Sequence, residues 1–263
     1  MNFFLSKILN KTRAYYYYFI NKNSRKYFFI LILRKFKGLF EKSQNHENLE
    51  FTTSEWCKKK KLNEKIFYKK LGLKAPKNFF IENRSYYLSA KLKEKNLNYK
   101  MGGMAHLNLI YNLIKFYKPK KILETGVAFG WSSLVFMLSK TKHSELISID
   151  LSYPTKSSEK FVAKALPYNF KNKFKLMMGI DHDYLSLFKD KKKKFDFIHY
   201  DSDKSYDGRK KNYKLIWEIL NKNGCFVSDD ISDNFAFYQF VSSKKLKYFI
   251  LDFNNKFIGI VFK

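Results

Sequence analysis

The sequence predicts an α/β protein: a seven-stranded, mostly parallel sheet with an antiparallel last strand, helices on both faces, and an N-terminal helical extension. Three observations carry this. From residue 101 onward, short apolar runs alternate with stretches of helical period, the pattern of parallel strands joined by helical crossovers. The chain closes on two strand-like runs, "KYFILDF" and "KFIGIVF", separated only by Asn254-Asn255, which suits a two-residue hairpin. Its 263 residues, 45% of them hydrophobic, suffice for one sizeable α/β domain with an appendage.

Residues 1–45 form a basic, aromatic extension, with "YYYY" at 15–18 and "YFFILIL" at 27–33 between Arg25, Lys26, Arg34 and Lys35. No run approaches the roughly 18–20 apolar residues that span a bilayer, and the start lacks a secretory cleavage pattern. The favoured reading is an ordinary helical extension packed on the domain or a partner. The second reading is a helix lying on a membrane surface. A polar linker is expected over residues 43–53, and a helical cap or lid over 46–100, in which the lysines of 58–61 make a solvated face.

Residues 101–263 make the main domain. After Gly102-Gly103, Leu107, Ile110, Tyr111 and Ile114 recur at the period of a helix with one buried face, and Pro119 ends it. A short strand at 121–124 leads through a glycine turn to a helix from Trp131, with Leu134, Val135 and Leu138 inward. The strand "ELISIDL" ends near Asp150. A lysine-rich helix is expected at 157–165, then strand "KFKLMMG" and a helix from about Asp183. Strand "FDFIHYD", the helix holding "YKLIWEIL", strand "GCFVSDD" and a helix near 235–242 complete the pattern before the hairpin.

Lys and Arg number 52 against 23 acidic residues, a formal net charge of +29. Such a charge suits polyanions. However, Lys, Asn, Ile, Phe and Tyr abound while Gly (10) and Pro (4) are scarce, the signature of AT-rich codons, so much of the charge records genome composition. No nucleic-acid motif accompanies it, and no specific nucleic-acid partner is expected. Cys57 and Cys225 stand in different contexts, and Cys225 lies in an apolar, core-like run. With no disulfide or zinc spacing, the usage fits a reducing cytoplasm. The expected location is cytoplasmic, peripheral to the membrane under the second reading of the N-terminus.

"ETGVAFG" sets Gly126 and Gly130 between a strand and a helix. Gly126 frees the turn, and Gly130 lets the helix start close to a ligand. Val127 and Ala128 stand where a dinucleotide fingerprint needs its second glycine, so that motif is absent. Asp150 ends the next strand, where a carboxylate can accept both hydroxyls of a ribose. The plainer reading is a solvated strand-end acid, which its register with the glycines disfavours.

These residues resemble the class I S-adenosylmethionine-dependent methyltransferases, with a Rossmann-like sheet, over residues 101–263. By that resemblance Glu124, Gly126, Val127, Ala128 and Gly130 hold the methionine part of S-adenosyl-L-methionine. Asp150 holds the ribose, and Gly179, Ile180 and Asp181 border the adenine. Asp201, at the next strand end, joins this cofactor-binding set.

"YDSDKSYDG" gathers three aspartates and a lysine after the fourth strand, and Asp229-Asp230 follow the fifth. Carboxylates this close raise each other's pKa unless a cation intervenes. Oxygen ligands without Cys or His suit Mg²⁺ or another hard divalent cation, with Asp201, Asp229 and Asp230 as ligands. The bland reading is helix capping, with Asp203 the fairest candidate, or solvent exposure. The arrangement also resembles the metal-dependent O-methyltransferases of the catechol and caffeoyl-coenzyme A type: an Asp, a Lys three residues on, and an Asp-Asn pair. Here these are Asp201, Lys204 and Asp229-Asp230, so an aspartate replaces the final asparagine and adds a charge. The first hundred residues do not match, and "IHYDSDKSYDG" also resembles a broader glycan and natural-product methyltransferase group in which metal use is uneven.

The expected reaction is O-methylation of a hydroxylated small molecule or a glycan sugar. The cation would lower the acceptor's pKa, and Lys204, with Asp201, would be catalytic. Tyr206, His182 and His199 are further candidates, although a histidine inside a strand, such as His199, most often packs. Two alternatives remain at this level. One is a metal-independent methyltransferase acting on nitrogen or a larger target, although no "NPPY"-like motif follows the fourth strand. The other is a cationic RNA- or membrane-binding protein with a non-catalytic fold.

Overall fold

The computed structural model describes residues 51–97, 101–151, 158–171 and 173–263, with the isolated positions Tyr16 and Phe29. Apart from Tyr16 and Phe29, the basic aromatic extension, where a membrane-surface helix was the second reading, and the linker before residue 51 lie outside the described residues. No helix among the described residues is long and apolar enough to cross a membrane.

Seven strands form one sheet: β1 (Lys121–Thr125), β2 (Glu145–Asp150), β3 (Lys175–Met178), β4 (Phe195–Tyr200), β5 (Leu220–Ser228), β6 (Tyr248–Phe253) and β7 (Lys256–Phe262). Their spatial order is 3-2-1-4-5-7-6. Strands β1 to β5 pair in parallel, and β7 runs antiparallel to both β5 and β6, as the closing hairpin requires. Asn254 and Asn255 both take positive φ (50° and 63°), the conformation a tight hairpin needs and asparagine tolerates. Register aligns the carboxyl ends of the central strands: Thr125 pairs with Ile149 and Tyr200, and Tyr200 with Ser228. The residues that follow therefore emerge along one edge, the ligand crevice of an open α/β sheet.

The N-terminal helices are α1 (Thr53–Lys60), α2 (Glu64–Leu71), α3 (Phe79–Glu82) and α4 (Arg84–Lys95). Helix α1 starts on a reciprocal cap between Thr52 and Glu55. It buries Trp56 and Cys57 in the cluster on one sheet face, while Phe67, Tyr68, Phe79 and Ala90 join the cluster on the other. Cys57 therefore shares the buried, unpaired state of Cys225, and burial pushes its thiol up to about 12. The lysines that end α1 are exposed, as expected. Just beyond them the Leu62 amide donates to the Ile250 carbonyl (2.8 Å), which covers part of the outer edge of β6.

Helix α5 (Leu107–Tyr117) buries the four apolar positions its periodicity marked and ends at Lys118 in the left-handed region, before Pro119. Helix α6 (Trp131–Ser139) is buried on nearly every side, so its apolar stripe understates its burial. The helix expected at 157–165 is not formed. Ser158–Phe161 is a short 3₁₀ turn, because the backbone beyond it pairs elsewhere. Ala163 and Ala165 donate to the carbonyls of Ala128 and Phe129 (3.0 and 2.9 Å), which fastens this segment to the glycine turn. Helices α7 (Tyr168–Lys171), α8 (Asp181–Asp190), α9 (Tyr206–Ile219) and α10 (Ala236–Ser243) complete the chain. Helix α8 starts two residues before the expected Asp183.

Candidate active site

The strand ends open into a cavity of about 420 Å³. The 126–130 turn and Asp150 bound one end, while Asp201, Lys204, Asp229 and Asp230 bound the other. Residues 102–105 and the β6–β7 hairpin form further walls.

Two glycines shape the turn for backbone packing. Gly126 has φ +84°, and a Cβ there would meet the Asp201 carbonyl oxygen at 2.1 Å. Gly130 has φ +98°, and its Cβ would lie 2.8 Å from the Ala163 Cα. The close approach at Gly130 is thus to the protein's own chain, where the sequence suggested a ligand. Asp150 Oδ2 accepts from the amides of Val127 (2.8 Å) and Ala128 (2.5 Å). Burial pushes its carboxyl up to about 6 despite these donors.

Glu124 sits beneath the turn and does not line the cavity. Its oxygens accept from the hydroxyls of Ser132 (2.5 Å), Ser133 (2.6 Å) and Ser148 (2.6 Å), tying β1, α6 and β2 together. It therefore positions the turn. Gly179 and Asp181 line the cavity and Ile180 does not. Asp181 is buried, and its Oδ2 accepts from Asn212 Nδ2 (2.9 Å) and Ser202 Oγ (2.5 Å). His182 bonds Asn212 (2.9 Å), and the Tyr206 hydroxyl donates to Gln239; neither lines the cavity.

The acidic residues divide by role. In "YDSDKSYDG", Asp203 caps the loop by accepting from the Ser205 amide (3.1 Å), while Ser205 itself caps α9. Asp201 faces the cavity beside Asp229, and burial together with that neighbour raises its carboxyl to about 6, against the pull of Lys204. Lys204 lies 2.9 Å from Asp201 Oδ1 and also contacts Asp230 Oδ2. Lys256 reaches Asp230 as well, 2.9 Å from Oδ1 and 3.1 Å from Oδ2. Burial alone would lower the Lys204 pKa, but the two carboxylates outweigh it and hold the ammonium well above its ordinary range. Burial likewise opposes ionisation of Asp230, and the two lysines overcome it, so its pKa is lowered.

These contacts bear on two expectations. Lys204 pairs with Asp201 and Asp230 as a charged counter-ion. Both oxygens of Asp230 face ammonium groups, and among the described residues no group of three or more His, Cys, Asp and Glu is arranged to hold a metal.

Two residues carry more than their sequence suggested. His199 packs against Phe136 as a strand histidine should, with ring centroids 5.9 Å apart. Its Nε2 also lies 3.5 Å from Asp229 Oδ1, and that carboxylate raises its pKa against the effect of burial. Arg209 is fully buried and was not foreseen. Its guanidinium donates to the carbonyls of Asp230 (2.7 Å) and Asp229 (3.2 Å), clamping the turn in which Asp230 takes φ 54°. Nothing in "YDGRKK" distinguishes this arginine from its basic neighbours.

Strand order, reversed last strand and crevice together define the class I S-adenosylmethionine-dependent methyltransferase fold. Within it, residues 123–231 match the family model described as a methyltransferase domain. Solved structures agree in fold. A Staphylococcus aureus protein assigned as a caffeoyl-CoA O-methyltransferase is 18% identical, with a TM-score of 0.57 over 70% of this chain and 95% of that one. A Bacillus cereus O-methyltransferase in complex with SAH is 14% identical, with a TM-score of 0.54 over 79% and 100%. The Streptomyces achromogenes O-methyltransferase TomG, involved in tomaymycin synthesis and solved with SAM, is 14% identical, with a TM-score of 0.52 over 68% and 89%. No curated protein matches the chain significantly in sequence.

Proposed function

We propose that the chain transfers a methyl group from S-adenosyl-L-methionine to an oxygen of a small hydroxyl-bearing acceptor. The observation that carries this reading is the division of one cavity between a glycine turn with its strand-end Asp150 and an acidic end at Asp201 and Asp229. The cofactor, when bound, supplies an electrophilic methyl group on a sulfonium. Asp150 accepts from the ribose hydroxyls while keeping the turn in place through the Val127 and Ala128 amides. Gly179 and Asp181 border the adenine, and residues 102–105 close over the methionine end. Asp201 takes the acceptor's proton: its raised pKa, near 6, lies close to neutrality, where a general base is most effective. Lys204 stays charged and steadies the Asp201 carboxylate before it accepts that proton. Related folds solved with SAM or SAH support the cofactor assignment.

Calorimetry of the folded chain with S-adenosylmethionine and S-adenosylhomocysteine tests the first half, and binding of neither would remove the reading. A mass-shift screen of phenolic, sugar and amine acceptors tests the second. Transfer to amines alone would replace the oxygen acceptor with nitrogen.

A further inference from the structure

We propose that Lys256, joining the Lys204 that the metal-dependent pattern also carries, completes a built-in substitute for a divalent cation, so that this site excludes the metal its aspartates would otherwise collect. Three carboxylates, Asp201, Asp229 and Asp230, border one end of the cavity. In a metal site their charge is held by an ion that exchanges with solvent. Here two ammonium groups are tethered to the chain and stand on two of those carboxylates, Asp201 and Asp230.

The placement is built. Lys204 bridges Asp201 and Asp230, which come from the ends of adjacent strands β4 and β5. Its backbone is held where its carbonyl accepts from Asn234 Nδ2 (2.9 Å). Lys256 arrives from the other side, on the first residue of β7, and engages both oxygens of Asp230. The backbone that carries Asp230 is fixed, because Arg209 donates to its carbonyl and to that of Asp229. A divalent ion would need to displace at least one ammonium from Asp230, and would then sit within a few ångströms of it. At such spacing like charges repel, the more so where water is partly excluded. The aspartate in place of the asparagine expected by resemblance fits the same account: the additional negative charge is matched by an additional lysine.

The inference concerns the charge balance of this site and holds whether or not methyl transfer is the activity. Its test is equilibrium binding of Mn²⁺, followed by electron paramagnetic resonance of the free ion, on the wild-type chain and on Lys204→Met, Lys256→Met and the double variant. The wild type is expected to take up no Mn²⁺ at millimolar ion, and its melting temperature to be unmoved by Mn²⁺ or by chelator. The double variant is expected to bind Mn²⁺ at least about tenfold more tightly than the wild type, since exposed carboxylate oxygens are hard-cation ligands. It should melt lower without the ion and recover with it. Stoichiometric Mn²⁺ binding by the wild type, lost in Asp230→Asn, would overturn the proposal. So would folded lysine variants that still take up no ion. Should the double variant fail to fold, Lys256→Met and the wild-type measurement decide the matter. Cofactor calorimetry on the same samples is a separate readout, so failure of the methyltransferase reading and failure of this one are distinguishable.

Discussion

Asp150 is engaged twice: by the turn it holds and, in our proposal, by the ribose it receives. Its folded-state pKa is raised from 3.8 to about 6, chiefly by burial. The proton is therefore held more tightly in the folded chain than in the unfolded one. The ionised form costs stability as pH rises from 3.8 through about 6. Ribose hydroxyls donate to the ionised form, so cofactor affinity should fall as pH drops through about 6 and level off above it. Asp150→Ala should weaken cofactor binding by about tenfold or more, since a hydrogen bond to a charged group contributes about 1.5–3 kcal/mol. It should also abolish that pH dependence. Calorimetry from acid to neutral pH checks both, and an affinity unchanged in the variant would remove Asp150 from the site.

At the scale of elements, α1 belongs to the stretch expected to cap the main domain, and its inner face packs into the core. Trp56 meets Tyr238 edge-on at 5.2 Å and also contacts the rings of Phe237 and Tyr248. Phe51 packs on Phe235 and Tyr238, and the Thr53 hydroxyl donates to the Ser232 carbonyl (2.6 Å). A chain beginning at residue 50 keeps these contacts and should retain the cofactor affinity of the full chain. One beginning at Asn63 loses α1 and leaves a cavity where an indole was. Loss of a buried aromatic of that size costs about 3–5 kcal/mol. It should melt well below the longer chain in a thermal scan. An equal melting temperature would show that α1 is only an appendage.

For the whole molecule, the formal charge of +29 must be carried by a fold whose crevice is acidic at one end. Many lysines lie on solvated faces, where their mutual repulsion is screened by salt over a length of about 10 Å at 0.1 M. Raising NaCl from about 0.02 to about 0.3 M should therefore raise the melting temperature by several degrees. Any association with RNA or anionic vesicles should weaken over the same range. Salt-insensitive melting would mean that the cationic surface is already compensated by the fold.

The sequence by itself determined the elements and their order. Periodicity marked α5, alternation of strands and helices marked the parallel sheet, and the Asn254-Asn255 turn required a reversed last strand. These signals are local, and each is written in a few neighbouring residues. It also placed Asp150, Asp201, Asp229 and Asp230 at strand ends, because an aspartate after an apolar run reads the same before and after folding. What only the tertiary structure decided depends on residues far apart in sequence. The 157–165 segment is a helix by composition, but it lends its amides to the glycine turn. Arg209 is one basic residue among many until two carbonyls about 20 positions later close on it. Lys256, on the last hairpin, meets Asp230 only because β7 folds back beside β5. In our proposal that meeting lets the site supply its own positive charge in place of a metal, which no spacing along the chain could express.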